Sequence, residues 1–473
     1  MNVIVICCDT LRADVVDHTW EDRVHMPNVD RLRAEGVNFT RAYAEALPTV
    51  PMRRGFYTGR RAFPWRHDID DRGSVPNLLG WHAIPKDYTT LAESLSAGGV
   101  MTGLVADLYH LFKPTMNFTR GFTSYDYIRG QETDRVRSGP LSRIDLKPHL
   151  PPQETDFKRH SGLTQYLLNI QDRRREEDYF APQVFRSAAR WIDDNAAHKP
   201  FLLWIESFTP HEFWDPPKSF ADAYFKKDGV VDYTYPQFFQ DRFTFNEDEQ
   251  RRTKALYYGY CTFVDKWIGR FLEKLDEHKL WDDTLVIFTS DHGTELLDKG
   301  RFGKSGERLH PYNTRLNLIV RHPDKSTHGK SSDAFVQNID LAPTICRAMG
   351  VDAKEPYDGF DLLPLIEGRA KSVRDHVIGA WGEQVYVRTD EHNFLINSLD
   401  PAKKTELYDV RSDSRETGNI AAARPAVVGE LRAKLERFLG APLPAKYAHQ
   451  VRPGRAPGLH QFMQHWKGSN LSS

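Results

Sequence analysis

Five short runs in this chain are almost wholly apolar at consecutive positions: Val3 to Cys8, Thr102 to Val105, Phe201 to Ile205, Thr284 to Thr289 and Leu316 to Val320. A strand with one wet face alternates apolar and polar side chains, so consecutive apolar positions point to strands covered on both faces. Segments of helical character separate the runs: Asn28 to Glu35, Thr89 to Ala97, Pro182 to Asn195 and Lys254 to His278. Buried strands alternating with helices predict an α/β sandwich built on a large, mostly parallel central sheet. With 473 residues, the chain exceeds the size at which one core keeps growing. Its character changes near residue 375. A main domain over 1–375 and a smaller α+β unit over 376–440 are therefore expected. In the smaller unit, Val377 to Arg388 and Asn393 to Asn397 read as strands and Ala426 to Leu439 as an amphipathic helix. Residues 441–473 carry Pro442, Pro444, Pro453 and Pro457 and read as an extended arm, able to reach a neighbouring subunit in a homo-oligomer.

Charge and cysteine usage exclude several classes. The formal net charge is -1, so no global field draws the chain to nucleic acid or to a membrane surface. No apolar run approaches membrane-spanning length. The four cysteines, Cys7, Cys8, Cys261 and Cys346, form neither a disulfide framework nor a zinc-binding CxxC pair. The N-terminus enters Asn2-Val3-Ile4-Val5-Ile6 with no leader-like segment, and a reducing cytoplasmic location is expected.

The residues that end the apolar runs carry the chemistry. The first run ends in Asp9, the second in Asp107, and the third in Glu206-Ser207 followed by Pro210-His211. The fourth ends in Asp291-His292-Gly293. Ligands of open α/β sheets bind beyond the carboxyl ends of the strands, so these groups are expected along one edge. Asp9, Asp291 and His292 offer two carboxylates and an imidazole, a set suited to one divalent cation. A polar turn closing a strand is the plainer reading of Asp291-His292-Gly293, but a carboxylate closing an apolar strand needs a partner. A second stretch, Thr49-Val50-Pro51-Met52-Arg53, closes in Thr58-Gly59-Arg60. A helix starting here directs free N–H groups toward an anion near Thr49, and Arg53 could hold that anion in bidentate fashion. Alternatively, Thr49 caps the helix. A nearby cation would lower the pKa of its hydroxyl. Lys304 could reach an anion oxygen or stand in solvent. His211 suits protonation of a leaving oxygen or is a satisfied buried histidine. His110 and His310 have weaker claims of the same kind. Asp265 reads as structural, because no histidine follows it by one helical turn.

These motifs, in this order, resemble the sulfatase family of the alkaline phosphatase superfamily over nearly the whole chain. Thr49 to Arg60 aligns with the family signature Cys/Ser-x-Pro-x-Arg that closes in Thr-Gly-Arg. Asp9, Pro210-His211, Asp291-His292-Gly293 and Gly303-Lys304 fall where the family carries site residues. Later landmarks match in Ile339-Asp340-Leu341-Ala342-Pro343-Thr344, Asp358-Gly359 and Glu406-Leu407-Tyr408-Asp409. The start Asp9-Thr10-Leu11-Arg12-Ala13-Asp14 leans toward the phosphonate monoester hydrolase and arylsulfatase-like branch. The resemblance implies an alkaline-phosphatase-like fold with a C-terminal subdomain. Two positions depart from the family. Thr49 stands where sulfatases carry the Cys or Ser that becomes formylglycine, and threonine cannot form that aldehyde hydrate. Asp107 stands in Ala106-Asp107-Leu108-Tyr109-His110 where many sulfatases have Gly-Lys-Trp-His. It either meets a cationic or hydroxylated substrate group or folds back as a structural residue.

The resulting expectation is a metal-dependent hydrolase with one divalent ion (Mn, Ca, Zn or Mg) on Asp9, Asp291, His292 and Thr49. Thr49 attacks, Arg53 and Lys304 steady the equatorial oxygens, and His211 protonates the leaving group. Thr49 directs the expectation toward a small-molecule phosphate or phosphonate ester, and a negative Asp107 mildly favours a diester. A sulfatase working with Thr49, a phosphotransferase and a non-catalytic binding protein are the alternatives.

Overall fold

The computed structural model describes residues 1–20, 24–67, 78–238, 240–352, 355–447 and 458–466. The strand Asn2–Cys8 lies between Phe201–Ser207 and Thr284–Ser290, parallel to both, and all seven of its residues are buried. It is central to an eight-stranded sheet ordered Lys330–Ser332, Val37–Phe39, Leu318–Arg321, Thr284–Ser290, Asn2–Cys8, Phe201–Ser207, Met101–Ala106, Ser124–Tyr127. The pleat sends Ile4, Ile6 and Cys8 into one apolar cluster and Val3, Val5 and Cys7 into another. Helices Phe180–Asn195 and Glu247–Glu277 cover the first face. Helices Thr49–Thr58, Leu91–Ala97 and Leu341–Met349 cover the second. The consecutive apolar runs therefore mark a sheet dry on both faces, as expected.

The sheet is mostly parallel, as expected, with one exception. Leu318–Arg321 runs antiparallel to both of its neighbours, so the sheet is mixed. An apolar run reports burial on two faces and carries no information on direction.

In the C-terminal unit, Gly382 turns the chain at a φ of 58°, dividing the expected strand Val377 to Arg388 into a hairpin of Val377–Trp381 and Gln384–Arg388. His392–Asn397 and Thr405–Asp409 extend it. The fifth strand, Ala46–Leu47, comes from the main domain and pairs parallel with Val377–Trp381. Thr49 follows this strand by two residues, so the smaller sheet holds the entry to its helix. A second tie is Glu416, which accepts hydrogen bonds from His310 Nδ1 at 2.8 Å, Asn393 Nδ2 at 2.9 Å and Arg388 Nη1 at 2.6 Å.

The expected C-terminal arm is docked where it is described. Leu443 is buried, and Ala445 N–H donates to Ser398 O at 2.7 Å. Helix Gly458–His465 places Met463 in the main core, with Leu459 and Trp466 packed against it. The spacing of 459, 463 and 466 makes one apolar helical stripe, which accounts for the docking. The rest of the arm, 448–457 and 467–473, lies outside the described residues. No described helix is long and apolar enough to cross a membrane.

Candidate active site

Asp9 and Asp291-His292 lie at the carboxyl ends of two adjacent parallel strands, which brings them together at the sheet edge. One ligand atom from each lies within 4.8 Å of the others, and all three residues are fully buried. Their surroundings hold them in place. Thr10 N–H donates to Asp291 Oδ1 at 2.9 Å, and Thr10 Oγ1 donates to Asp9 Oδ1 at 2.7 Å. His292 Nδ1 donates to Gly293 O at 2.9 Å, which leaves Nε2 with its lone pair. That lone pair faces Asp291 Oδ2 at 3.3 Å and Asp9 Oδ1 at 4.0 Å. Despite complete burial, His292 Nε2 has no hydrogen-bond partner, and Asp9 Oδ2 has only the ion pair with Arg53 Nη1 at 3.0 Å. Acceptors that outnumber the donors reaching them repel one another in a dry site, and a cation between them removes the conflict. The donor set of two carboxylates and one imidazole thus fits a divalent metal.

Protonation behaviour agrees with this geometry. Burial, then the charge of Asp291, raises the Asp9 carboxyl well above the usual range. Burial also acts to raise Asp291, but the Arg53 guanidinium, His292 and hydrogen bonds from Asp9 and Thr10 together hold that carboxyl low. Burial pushes His292 down to about 4, so it is neutral and free to act as a ligand.

Arg53 occupies a different place from the one expected. It is fully buried, with Nη1 bonded to Asp291 Oδ2 and 3.0 Å from Asp9 Oδ2. Its Nη2 and Nε donate to Glu206 Oε2 at 2.9 and 3.2 Å. Three carboxylates from three adjacent strand ends therefore share one guanidinium, and its donors are committed to them. The bidentate hold on a substrate anion is not made. Arg53 instead serves as the counter-ion beneath the cluster. Glu206, legible only as a strand-end residue, is the missing partner.

Thr49 is the first residue of its helix, with Pro48 ahead of it and no side-chain cap bond, so the capping reading does not hold. Its side chain lines a cavity of about 420 Å³ together with His211, Lys304, His110, Glu132 and Trp381. Lys304 Nζ donates to Thr10 Oγ1 at 3.1 Å and to Glu212 Oε2 at 2.6 Å, tying the cavity to the acceptor cluster. His211 is stacked on Phe208, with ring centroids 4.0 Å apart, and its Nδ1 bonds Glu212 O at 2.5 Å. Burial, then the Lys304 charge, lowers its pKa.

Asp107 takes the structural alternative. It is fully buried, accepting from Phe208 N at 2.6 Å and Gln131 Nε2 at 2.8 Å, and it does not line the cavity. The preference for a diester drawn from its charge therefore loses its basis. His310 belongs to the Glu416 tie. Asp265 is structural as expected, accepting the N–H groups of Asn28 and Val29 at 3.2 and 2.8 Å. Glu132, Glu212 and Trp381 were not anticipated. Glu212 adjoins His211 in Pro210-His211-Glu212, a signal within reach; Glu132 and Trp381 lie in segments without a motif.

Residues 1–351 match the family model described as Sulfatase, and residues 300–440 match the one described as N-sulphoglucosamine sulphohydrolase, C-terminal. The chain is similar to the multifunctional alkaline phosphatase superfamily protein PehA of Trinickia caryophylli. The two are 27% identical over 422 residues, covering 79% of this chain and 78% of that protein. It is also similar to an arylsulfatase of Clostridium perfringens, 25% identical over 455 residues, covering 89% of this chain and 90% of that one. Among solved structures, the phosphonate monoester hydrolase of Agrobacterium radiobacter has a TM-score of 0.70 at 21% identity, covering 93% of this chain and 95% of that chain. That last likeness is one of fold.

Proposed function

The chain belongs to the sulfatase family, and on that premise we propose that it hydrolyses a phosphate or phosphonate ester with Thr49 as the attacking group. The observation that carries this reading is the position of Thr49. It opens a helix, makes no cap bond, and faces the cavity that Lys304 connects to the Asp9, Asp291 and His292 acceptors. A divalent cation on those acceptors, with Thr49 as a further ligand, would supply Lewis-acid polarisation of an ester oxygen and acidify the Thr49 hydroxyl.

The remaining steps belong to the chain. Arg53 and Glu206 fix the two carboxylates, so the acceptor cluster is preorganised. Lys304 places an ammonium on the cavity wall, where it can steady charge spread over the equatorial oxygens. Thr49 Oγ forms a bond to phosphorus, releasing its hydroxyl proton to solvent, as the bond to the leaving oxygen breaks, and that oxygen takes a proton from His211. The lowered pKa of His211 makes its imidazolium a strong proton donor, though a minor species at neutral pH. Water then cleaves the phosphothreonine at phosphorus. Threonine favours phosphorus because its ester lacks the second hydroxyl through which a formylglycine hydrate expels sulfate. The arylsulfatase relative supports sulfate esters as the second reading.

A panel of aryl phosphate, phosphodiester, phosphonate and sulfate esters, assayed with added divalent metal beside Thr49→Ala, tests the proposal. Turnover of a phosphorus ester is expected to fall by roughly 10³-fold or more in the variant, with a phosphoryl adduct on Thr49 detectable by mass spectrometry. Equal turnover by Thr49→Ala removes threonine as nucleophile. Cleavage of sulfate esters alone removes the choice of phosphorus.

A further inference from the structure

One residue between the acceptor cluster and the cavity holds a conformation that its own side chain disfavours. Thr10 is fully buried with a φ of 63°, in the left-handed region. A β-branched side chain there crowds the following carbonyl, so the position is a steric outlier. Among the described residues one other β-branched residue has a positive φ, Thr115, and it stands exposed in a turn. Thr10 is locked on both sides. Its N–H donates to Asp291 Oδ1 at 2.9 Å, and its C=O accepts from Tyr257 Oη at 2.8 Å. The Arg12 N–H in turn donates to Tyr257 Oη at 3.0 Å. Strain that the surroundings over-determine in this way gathers where function needs a fixed geometry.

The geometry that results is that of the Lys304 ammonium. Thr10 Oγ1 gives its only proton to Asp9 Oδ1 at 2.7 Å, so it meets Lys304 with its lone pairs. Lys304 Nζ donates to it at 3.1 Å. A second N–H of the ammonium goes to Glu212 Oε2 at 2.6 Å. An ammonium has three N–H groups in tetrahedral array. With two of them fixed, the direction of the third follows, and Lys304 lines the cavity beside Thr49. The lysine stem alone does not achieve this, because its four carbons leave the ammonium free to turn. Glu212 alone would leave it free to rotate about one axis. Thr10 supplies the second anchor and takes its own orientation from Asp9 and Asp291.

We propose that Thr10 is a positioning residue of this site: its hydroxyl aims the third Lys304 N–H at an equatorial oxygen of the ester attacked by Thr49. This rests on the hydrolase reading above. The strained turn is kept because one residue must reach Asp9, Asp291 and Lys304 at once. Serine can supply the same hydroxyl, and valine, of nearly the same shape, cannot.

The test is a double-mutant cycle of Thr10→Val with Lys304→Met, run with added divalent metal on whichever ester of the panel is cleaved. Thr10→Val alone is expected to lower kcat/KM by roughly 10- to 100-fold. On the Lys304→Met background it should cost less than about threefold, because the group it aims is gone. Thr10→Ser should recover most of the loss. Two readouts need no turnover. Inorganic phosphate binding, followed by calorimetry, should weaken in Thr10→Val and show the same coupling to Lys304. The rise in melting temperature with Mn²⁺ should survive in Thr10→Val, since Asp9, Asp291 and His292 are untouched. If Thr10→Val does not fold, Thr10→Gly, which accepts a positive φ without strain, carries the same cycle. An undiminished loss on the Lys304→Met background overturns the proposal, as does full activity in Thr10→Val. So does loss of the Mn²⁺ response, which would make Thr10 a support of the acceptor cluster. If phosphate binding shows the coupling and no ester is cleaved, the positioning role stands and the hydrolase reading fails.

Discussion

The buried clusters at Glu416 and at Asp9 are both charged, and their hydrogen bonds distinguish their roles. At Glu416 one carboxylate meets His310, Asn393 and Arg388, and both of its oxygens are engaged. Burial alone would lift its carboxyl, but these donors hold it below the ordinary range. At Asp9, Asp291 and His292 the balance is reversed. Acceptors face acceptors, His292 Nε2 lacks any partner, and Asp9 Oδ2 meets only the Arg53 guanidinium, which Asp291 and Glu206 share. The first cluster is complete within the chain and ties the smaller sheet to the His310 segment of the main domain. The second has the donor set of a candidate site for a divalent cation. Burial is alike in the two, so the balance of acceptors to donors separates a structural knot from a candidate cation site.

The widest test of that contrast is Asp291→Asn. Asparagine keeps an oxygen for Thr10 N–H but removes one negative charge from the acceptor set. Turnover is expected to fall by about a hundredfold to a thousandfold. Saturating Mn²⁺ should raise the melting temperature of the unmodified protein, with about 3 kcal/mol gained at a hundredfold excess over Kd. The variant should show a much smaller rise. If the unmodified protein gains nothing from any divalent cation, a proton held by Asp9 supplies the missing donor, and the two clusters are alike after all.

Glu416→Ala tests the other side. It leaves Arg388 and His310 buried without their shared acceptor, and a loss of about 3–5 kcal/mol in urea unfolding is expected. The rise in melting temperature with Mn²⁺ should persist, because no atom of the Asp9 cluster touches Glu416. Loss of the metal response together with stability would show that the smaller sheet, through Ala46–Leu47 and the Thr49 helix, holds the site in shape.

The sequence revealed the cation site more readily than the knot or the cavity, for physical reasons. Asp9, Glu206 and Asp291 close runs whose dryness is written in consecutive apolar residues, so their convergence follows from strand order. Direction is not written there, and Leu318–Arg321 could not be told apart from its parallel neighbours. The hairpin at Gly382 was hidden because its flanks share one continuous β-prone pattern. Arg53 was placed near the right strands, but whether a guanidinium faces a ligand or its own carboxylates depends on depth. Glu132 lies in a long stretch without a motif, and Glu416 meets partners 23 to 106 residues away.

Asp107 supplies the intermediate case, a buried carboxylate with two N–H donors and no hydrogen-bonded cation. Burial pushes its pKa up to about 7 in the folded chain, against about 3.9 in an unfolded one. A carboxyl raised on folding favours the native state below its unfolded pKa, and that contribution fades as pH rises through the folded value. The Asp107 contribution should therefore be full near pH 4 and lost above pH 7. Asp107→Asn keeps an acceptor for Phe208 N–H and cannot ionise, and the Gln131 amide can turn to meet its NH₂ group. The two proteins should unfold alike near pH 4, and the variant should be the more stable at pH 8 by about 2–4 kcal/mol. Urea midpoints measured from pH 4 to pH 8 give the curve. Equal stability across that range would mean that two backbone-scale donors suffice for a buried carboxylate. The Asp9 oxygen that meets only a shared guanidinium would then lose its standing as the mark of an external cation.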